Sequence, residues 1–158
     1  MPFRPIELPG NGILLYESKH RGHDEISEHH HRVHQLLYVI EGKGKIALDR
    51  VEYGMEPDDA VFVAPYSNHA IHSDSSLTLL VLAFDADALD SYVREEVLAR
   101  HFRKSMRLKL HPFAAGEVRQ LLRKMLFEAS GYDALCAWAE KVYLCEVLMV
   151  LARLQQSP

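Results

Sequence analysis

From Ile13 to Phe84 apolar and polar residues alternate with a period close to two, and after Phe84 the period changes to three or four. Period two places alternate side chains on opposite faces of a strand, whereas a period near 3.6 marks one face of a helix. Strands are predicted at 13–17, 28–32, 35–41, 44–49, 60–64, 69–73 and 77–84. Turn signals separate them at Gly22, Gly42 to Gly44, Gly54, Pro57 to Asp59, Pro65 to Asn68 and Asp74 to Ser76. Short strands at this spacing predict a sandwich or small barrel. Ahead of them Pro2, Pro5, Pro9, Gly10 and Gly12 predict an extended arm over residues 1–12.

Three helices are expected beyond the strands. The first begins near Asp87 or Asp90, either able to cap it, and runs to about Phe102. The second opens at Pro112, carries Val118, Leu121, Leu122, Met125 and Leu126 on one side, and stops at Gly131. Asp133 can cap the third, which runs to Leu154 and is apolar around most of its circumference. Such a helix needs two burial partners, one being its own barrel. A second copy of the chain is the expected other, with Leu144, Leu148 and Leu151 as the candidate seam of a homodimer; the alternative is that the second helix and the barrel cover the third completely, with Leu148 facing the barrel.

Composition is that of one ordinary globular domain: 158 residues, 48% hydrophobic and 25% charged. No apolar run is long enough to cross a bilayer, and "MPFRPIELPGNG" lacks the apolar core of a signal peptide, so the expected compartment is the cytoplasm and no membrane partner is expected. Cys136 and Cys145 lie roughly 13 Å apart on one helix, beyond disulfide reach, and are expected as small core residues. Residues 1–93 hold 7 Lys/Arg against 15 Asp/Glu, which disfavours nucleic acid, whereas residues 94–124 hold 9 against 3. Those basic residues interleave with apolar helical positions, as on a solvated helix face.

The candidate chemistry lies in "SEHHHRVHQLLYVIEGKG". In a strand His29 and His31 share a side and His30 points away. Gln35 follows, and His69 stands near Pro65 at a later strand. Neutral imidazoles suit zinc, nickel, copper or iron, and an amide oxygen is a weak further ligand. The same residues would equally serve a polar barrel mouth that hydrogen-bonds an organic ligand. If Gln35 and His69 face inward, so do Leu37, Val39 and Ile71, and Leu36, Tyr38 and Ile40 face outward under some cover. His34 and His72 have the opposite parity, while His20 and His23 fall in a loop, so all four are expected at the surface.

The spacing His29-x-His31-x-x-x-Gln35, six residues and Gly42 resembles the first cupin motif, with Gln in the usual Glu position. Gly54, Pro65 and His69 resemble the second, with Ser67 where Gly is common. Together "HHHRVHQLLYVIEGKGKIALD", "DDAVFVAPYSNHAIHS" and the helical tail after "LLVLAFD" are similar to the N-terminal regulatory domain of AraC-type transcription factors, over nearly the whole chain. The resemblance implies a mainly β fold with C-terminal α: a cupin (double-stranded β-helix or jelly-roll) barrel over 13–86 and a helical dimerisation segment over 87–158. It implies a divalent metal (zinc, nickel, iron or manganese) on His29, His31, Gln35 and His69, or a small effector in the same pocket. DNA contact in that family belongs to a C-terminal pair of helix-turn-helix motifs, and this chain reaches "RLQQSP" about where a linker would begin. The turn at Gly131 does not make such a motif, because the following helix is too apolar to read base edges. The competing expectation is a free-standing metal-dependent cupin enzyme, a dioxygenase or isomerase, but no acidic residue falls at the assigned inward positions to serve as general base.

Overall fold

A computed structural model describes residues 2–156. Met1 of the predicted arm, and Ser157 and Pro158 of the predicted helical segment, lie outside the described residues. The sheet has seven strands: β1 (Ile13–Arg21), β2 (Glu25–His29), β3 (His34–Leu48), β4 (Val51–Met55), β5 (Asp59–Val63), β6 (His69–Phe84) and β7 (Met106–Lys109). All ladders between them are antiparallel, in the order β1-β6-β3-β5-β7, with β2 added on β6 and β4 on β3.

Two of these strands are long, and each replaces two predicted ones. β3 runs through Gly42 and Gly44, and β6 through Asp74 to Ser76, so neither place is a chain reversal. The strands pair with each other along most of their lengths, with register shifts at 39/41 and 42/44. Glycine is what permits this. Gly42 has φ +85°, and a Cβ there or at Gly44 would run into the β6 backbone at Ser76 or His72. β4 escaped prediction because Gly54 reads as a turn, and β7 because "MRLK" is short and basic.

Alternation divides the apolar residues between two cores. Leu37, Val39, Ile46, Val61, Val63, Leu79 and Val81 fill the barrel interior. Leu36, Tyr38, Phe62, Leu80, Leu82 and Phe84 face the other way and meet the helices. These are α1 (residues 91–101, with a π-helical turn over Arg94–Leu98), α2 (Pro112–Ala129) and α3 (Leu135–Gln156). His111 caps α2 by accepting the Ala114 N–H, Pro112 fits its first turn, and Asp133 accepts the Leu135 N–H ahead of α3. Asp90 precedes α1, but its carboxylate is spent on Lys141 of α3, 2.7 Å away. Because β7 returns to the sheet between α1 and α2, the segment after residue 86 is not purely helical.

Three expectations need correcting. Leu144, Leu148 and Leu151 are not a free seam: they are buried within the chain against α2 and the barrel. The outward face of α3 carries Leu135, Trp138, Val142, Cys145 and Met149 instead, again spaced three and four apart, with Trp138 64% and Met149 43% exposed. Cys136 and Cys145 are half-buried free thiols rather than core residues. The strand expected at 28–32 ends at His29, because the arm takes over the backbone of His30, whose N–H donates to Pro2 O and whose carbonyl accepts from Arg4 N.

Much of the basic stretch is tied down locally. Arg119 bonds Asp58, itself bonded to Tyr38 Oη, while Lys109 pairs with Glu56 and Asp59 and Arg100 with Glu96. None of the described helices is long and apolar enough to cross a membrane.

The crossing of the two long strands is therefore the least forgiving point of the fold. Gly42→Ala should cost more than about 2 kcal/mol, by positive-φ strain together with the clash on β6. Urea denaturation checks this, and a midpoint equal to that of the unsubstituted protein would contradict it.

Candidate ligand and metal site

His29 ends β2, His69 opens β6 opposite it in the ladder, His31 sits in the connection to β3, and Gln35 is the second residue of β3. The three rings converge, with centroids 4.2 Å (His29–His69), 4.8 Å (His31–His69) and 6.1 Å (His29–His31) apart. One nitrogen from each lies within 4.8 Å of the others. Strand parity is not what unites His29 and His31, since His31 lies beyond the strand.

Hydrogen bonds to nearby carbonyls orient the rings. Nδ1 of His29 lies 2.8 Å from Ser27 O, that of His31 2.9 Å from Val33 O, and that of His69 3.0 Å from Ser67 O. A carbonyl only accepts, so each Nδ1 carries the proton and each Nε2 keeps a lone pair, the arrangement that presents imidazole to a metal. His31 Nε2 and Gln35 Oε1 are 3.2 Å apart. With this tautomer two lone pairs face each other, which a shared cation reconciles; turning the Gln35 amide over, so that its nitrogen donates, is the metal-free solution. Burial lowers the pKa of His29 and His31 below the ordinary value and that of His69 to about 4, so the rings stay neutral and able to ligate.

Behind the histidines opens a cavity of about 190 Å³. Leu37 and Ile71, with Leu79 and Val81 of the two long strands, give its apolar wall; Gln35, His29 and His69 stand at its polar end. Val39 does not reach it and is fully buried deeper in the barrel core. Tyr16, Ser18 and His20 line the side made by β1, and Arg4, Pro5 and Ile6 of the arm cover the mouth.

His20 is the site residue that reasoning from sequence placed wrongly. β1 extends four residues past its predicted end, to Arg21, and buries His20 with Nε2 2.9 Å from Ser18 Oγ and Nδ1 3.3 Å from Asp24. The signal was there: Tyr16, Ser18 and His20 keep strict alternation, but with polar residues turned inward. The other histidines lie away from the cavity. His34 is half-buried on the helix side, stacked on Phe84, and His72 meets Glu25 and His23 at the surface.

Supporting contacts hold the polar end. Asp49 accepts from Ser67 Oγ at 2.7 Å and from Asn68 N at 2.9 Å, fixing the turn that delivers His69. The arm is latched beside His30 by its backbone bonds and by Phe3, which packs on the rings of His30 and Tyr66.

The family described as AraC-like ligand binding domain matches residues 10–137. No curated protein matches the sequence. Among solved structures, apo ToxT from Vibrio cholerae is similar with a TM-score of 0.63 at 10% identity, over 85% of this chain and 54% of ToxT. An RmlC-like cupin from Shewanella frigidimarina aligns with a TM-score of 0.46 at 23% identity, over 47% of this chain and 67% of the cupin. The oxalate decarboxylase of Bacillus subtilis, described with Mn(II) centres, gives a TM-score of 0.46 at 12% identity, over 48% of this chain and 22% of the enzyme. The chain thus spans about half the length of ToxT and less than a quarter of the decarboxylase. A family match running from the end of the arm into the last helix, over a barrel with a histidine-lined cavity, makes this chain a member of the AraC-like ligand-binding domain family.

Proposed function

We propose that this domain is the effector-sensing and dimerisation part of a transcription regulator, and that its barrel mouth binds a divalent metal, a small molecule, or both. The observation that carries the binding half is the convergence of three buried, neutral imidazoles, two of which, His29 and His69, line the polar end of an arm-covered cavity. His29, His31 and His69 would hold the ion, with Gln35 Oε1 as a weaker fourth donor. An ion there would supply a Lewis-acidic positive centre to a ligand in the cavity. Ser27, Val33 and Ser67 keep the rings in the ligating tautomer through their carbonyls. A regulator is favoured over a metal-dependent cupin enzyme by family membership and by the lining, in which no aspartate or glutamate is among the described residues to act as general base. In this reading DNA is contacted by a helix-turn-helix part of the regulator. Residues 2–156 would not read it, since Arg100, Lys109 and Arg119 of the basic stretch are held in ion pairs and α3 presents Trp138 and Met149 outward.

The homodimer seam of this reading is the outward stripe of α3, Leu135, Trp138, Val142, Cys145 and Met149. Its three-four spacing is that of a two-helix contact, and pairing it with a second copy could bury about 1,000 Å². The stripe meets the area argument that Leu144, Leu148 and Leu151 cannot, being already buried.

Protein purified without a nickel column should carry near-stoichiometric metal by elemental analysis, and the double substitution His29→Ala/His31→Ala should lose it. A melting temperature unmoved by zinc, nickel, iron or manganese would leave only the organic ligand. For the metal-free protein the sign of the pH effect follows from burial. The unfolded imidazoles titrate near 6.5 and His69 in the fold near 4, so below about 6.5 the unfolded chain binds more protons. Melting temperature should be level above that pH and fall as pH drops from about 6.5 towards 4; a rise on acidification would contradict the buried neutral cluster. For the seam, Trp138→Glu should give a folded monomer in light scattering, whereas Leu148→Glu should cost several kcal/mol and unfold the chain. A wild-type monomer near 18.1 kDa at tens of micromolar would refute the dimer.

A further inference from the structure

The charge of this chain is distributed unevenly between its surface and its cavity. Acidic residues outnumber basic ones by 22 to 18, and by 15 to 7 over residues 1–93, which build the arm and nearly all of the barrel. Yet among the described residues no aspartate or glutamate lines the cavity, whose charged or chargeable groups are Arg4, the phenol Tyr16 and the imidazoles His20, His29 and His69. Asp24, 3.3 Å from His20 Nδ1, is not among the residues that line the cavity.

Arg4 is the one lysine or arginine among the described residues that lines the cavity. Arg32 is paired with Asp85, Lys109 with Glu56 and Asp59, and Arg119 with Asp58. Arg4 has no acidic partner among the described residues, and its guanidinium makes one long contact, 3.4 Å to Ser27 Oγ. Tyr16, 41% exposed, stands at the same cavity, and its phenol is protonated at neutral pH and can donate a hydrogen bond. Facing them across the cavity are Ile26, Leu37, Ile71, Leu79 and Val81.

We infer that the effector is a small organic acid, its carboxylate held at the mouth by Arg4 and Tyr16 and its short apolar body lying against Leu37, Ile71, Leu79 and Val81. This rests on the reading of the barrel as an effector pocket. An ionised carboxylate matches the unused donors of a guanidinium, whereas a cationic ligand would meet Arg4 with no counter-charge. A sugar would put many hydroxyls against an aliphatic wall that offers no acceptors. Size limits the body: a cavity of roughly 150 Å³ holds benzene, so about 190 Å³ admits a single ring or a chain of similar bulk. Arg4 belongs to the arm, so this ion pair forms only while the arm lies over the mouth.

Thermal shift and calorimetry on metal-stripped and zinc-loaded protein test the inference with benzoate, hexanoate, their amides, benzylamine and glucose. The expected result is that a carboxylate stabilises at least one of the two forms, that its isosteric amide binds about tenfold or more weaker, and that Arg4→Gln removes a similar factor of carboxylate affinity. Arg4 lies on the exposed arm, so that variant should fold normally. Equal or tighter binding of the amides, benzylamine or glucose, or carboxylate affinity untouched by Arg4→Gln, would overturn the anionic effector while leaving the pocket. If no probe of any class bound either form, the effector-pocket reading would fall with it.

Discussion

Two long antiparallel strands, β3 and β6, apolar on both faces, set the terms for everything else in this domain. Their inward residues, Leu37, Val39, Leu79 and Val81, fill the barrel, and their outward residues, Leu36, Tyr38, Leu80 and Leu82, require a cover. Polar backbone and apolar side chains can both be satisfied only if another layer lies on the outer face, which α2 and α3 provide. The barrel and the helices are thus two sides of one sheet, and a change at the cavity wall is one residue away from the helix contact: Leu37 lines the cavity, while its neighbour Tyr38 is buried against α2 and bonds Asp58, which Arg119 of α2 also holds.

The same packing confines polar chemistry to one end. The apolar middle of the barrel leaves the mouth for most of the inward polar residues, and there the chain places its metal-site histidines, Gln35, Ser18 and His20. Burial that would ordinarily penalise such groups is what keeps the imidazoles neutral, and the adjacent carbonyls of Ser27, Val33 and Ser67 decide which nitrogen each exposes. The arm completes the enclosure by backbone bonds to His30 rather than by its own core, so the roof of the cavity is held by a few contacts at one place.

How much of this the sequence reveals depends on whether local pattern or tertiary partnership decides each feature. The inward sets Gln35, Leu37 and His69, Ile71 follow from period two alone, and the starts of α2 and α3 from Pro112 and Asp133. Gly42 and Gly44 read as a turn because glycine permits both reversal and close strand approach, and only the presence of β6 selects the second. His20 was hidden by a strand whose inward face is polar. The two stripes of α3, Leu144-Leu148-Leu151 and Trp138-Val142-Cys145-Met149, have the same spacing, so the pattern alone does not decide which faces outward; the position of α2 and the barrel buries the first. His31 is reached by the right residue pattern for a reason parity did not supply.

The central claim is that three buried imidazoles present Nε2 lone pairs to one point because their Nδ1 protons are taken by backbone carbonyls. Long-range proton–nitrogen correlation spectra of the metal-free protein at neutral pH measure this directly. The account predicts neutral rings protonated on Nδ1 for His29, His31 and His69, with the Nε2 resonances of the same three moving when zinc is added. Imidazolium signals, or rings protonated on Nε2, would contradict it.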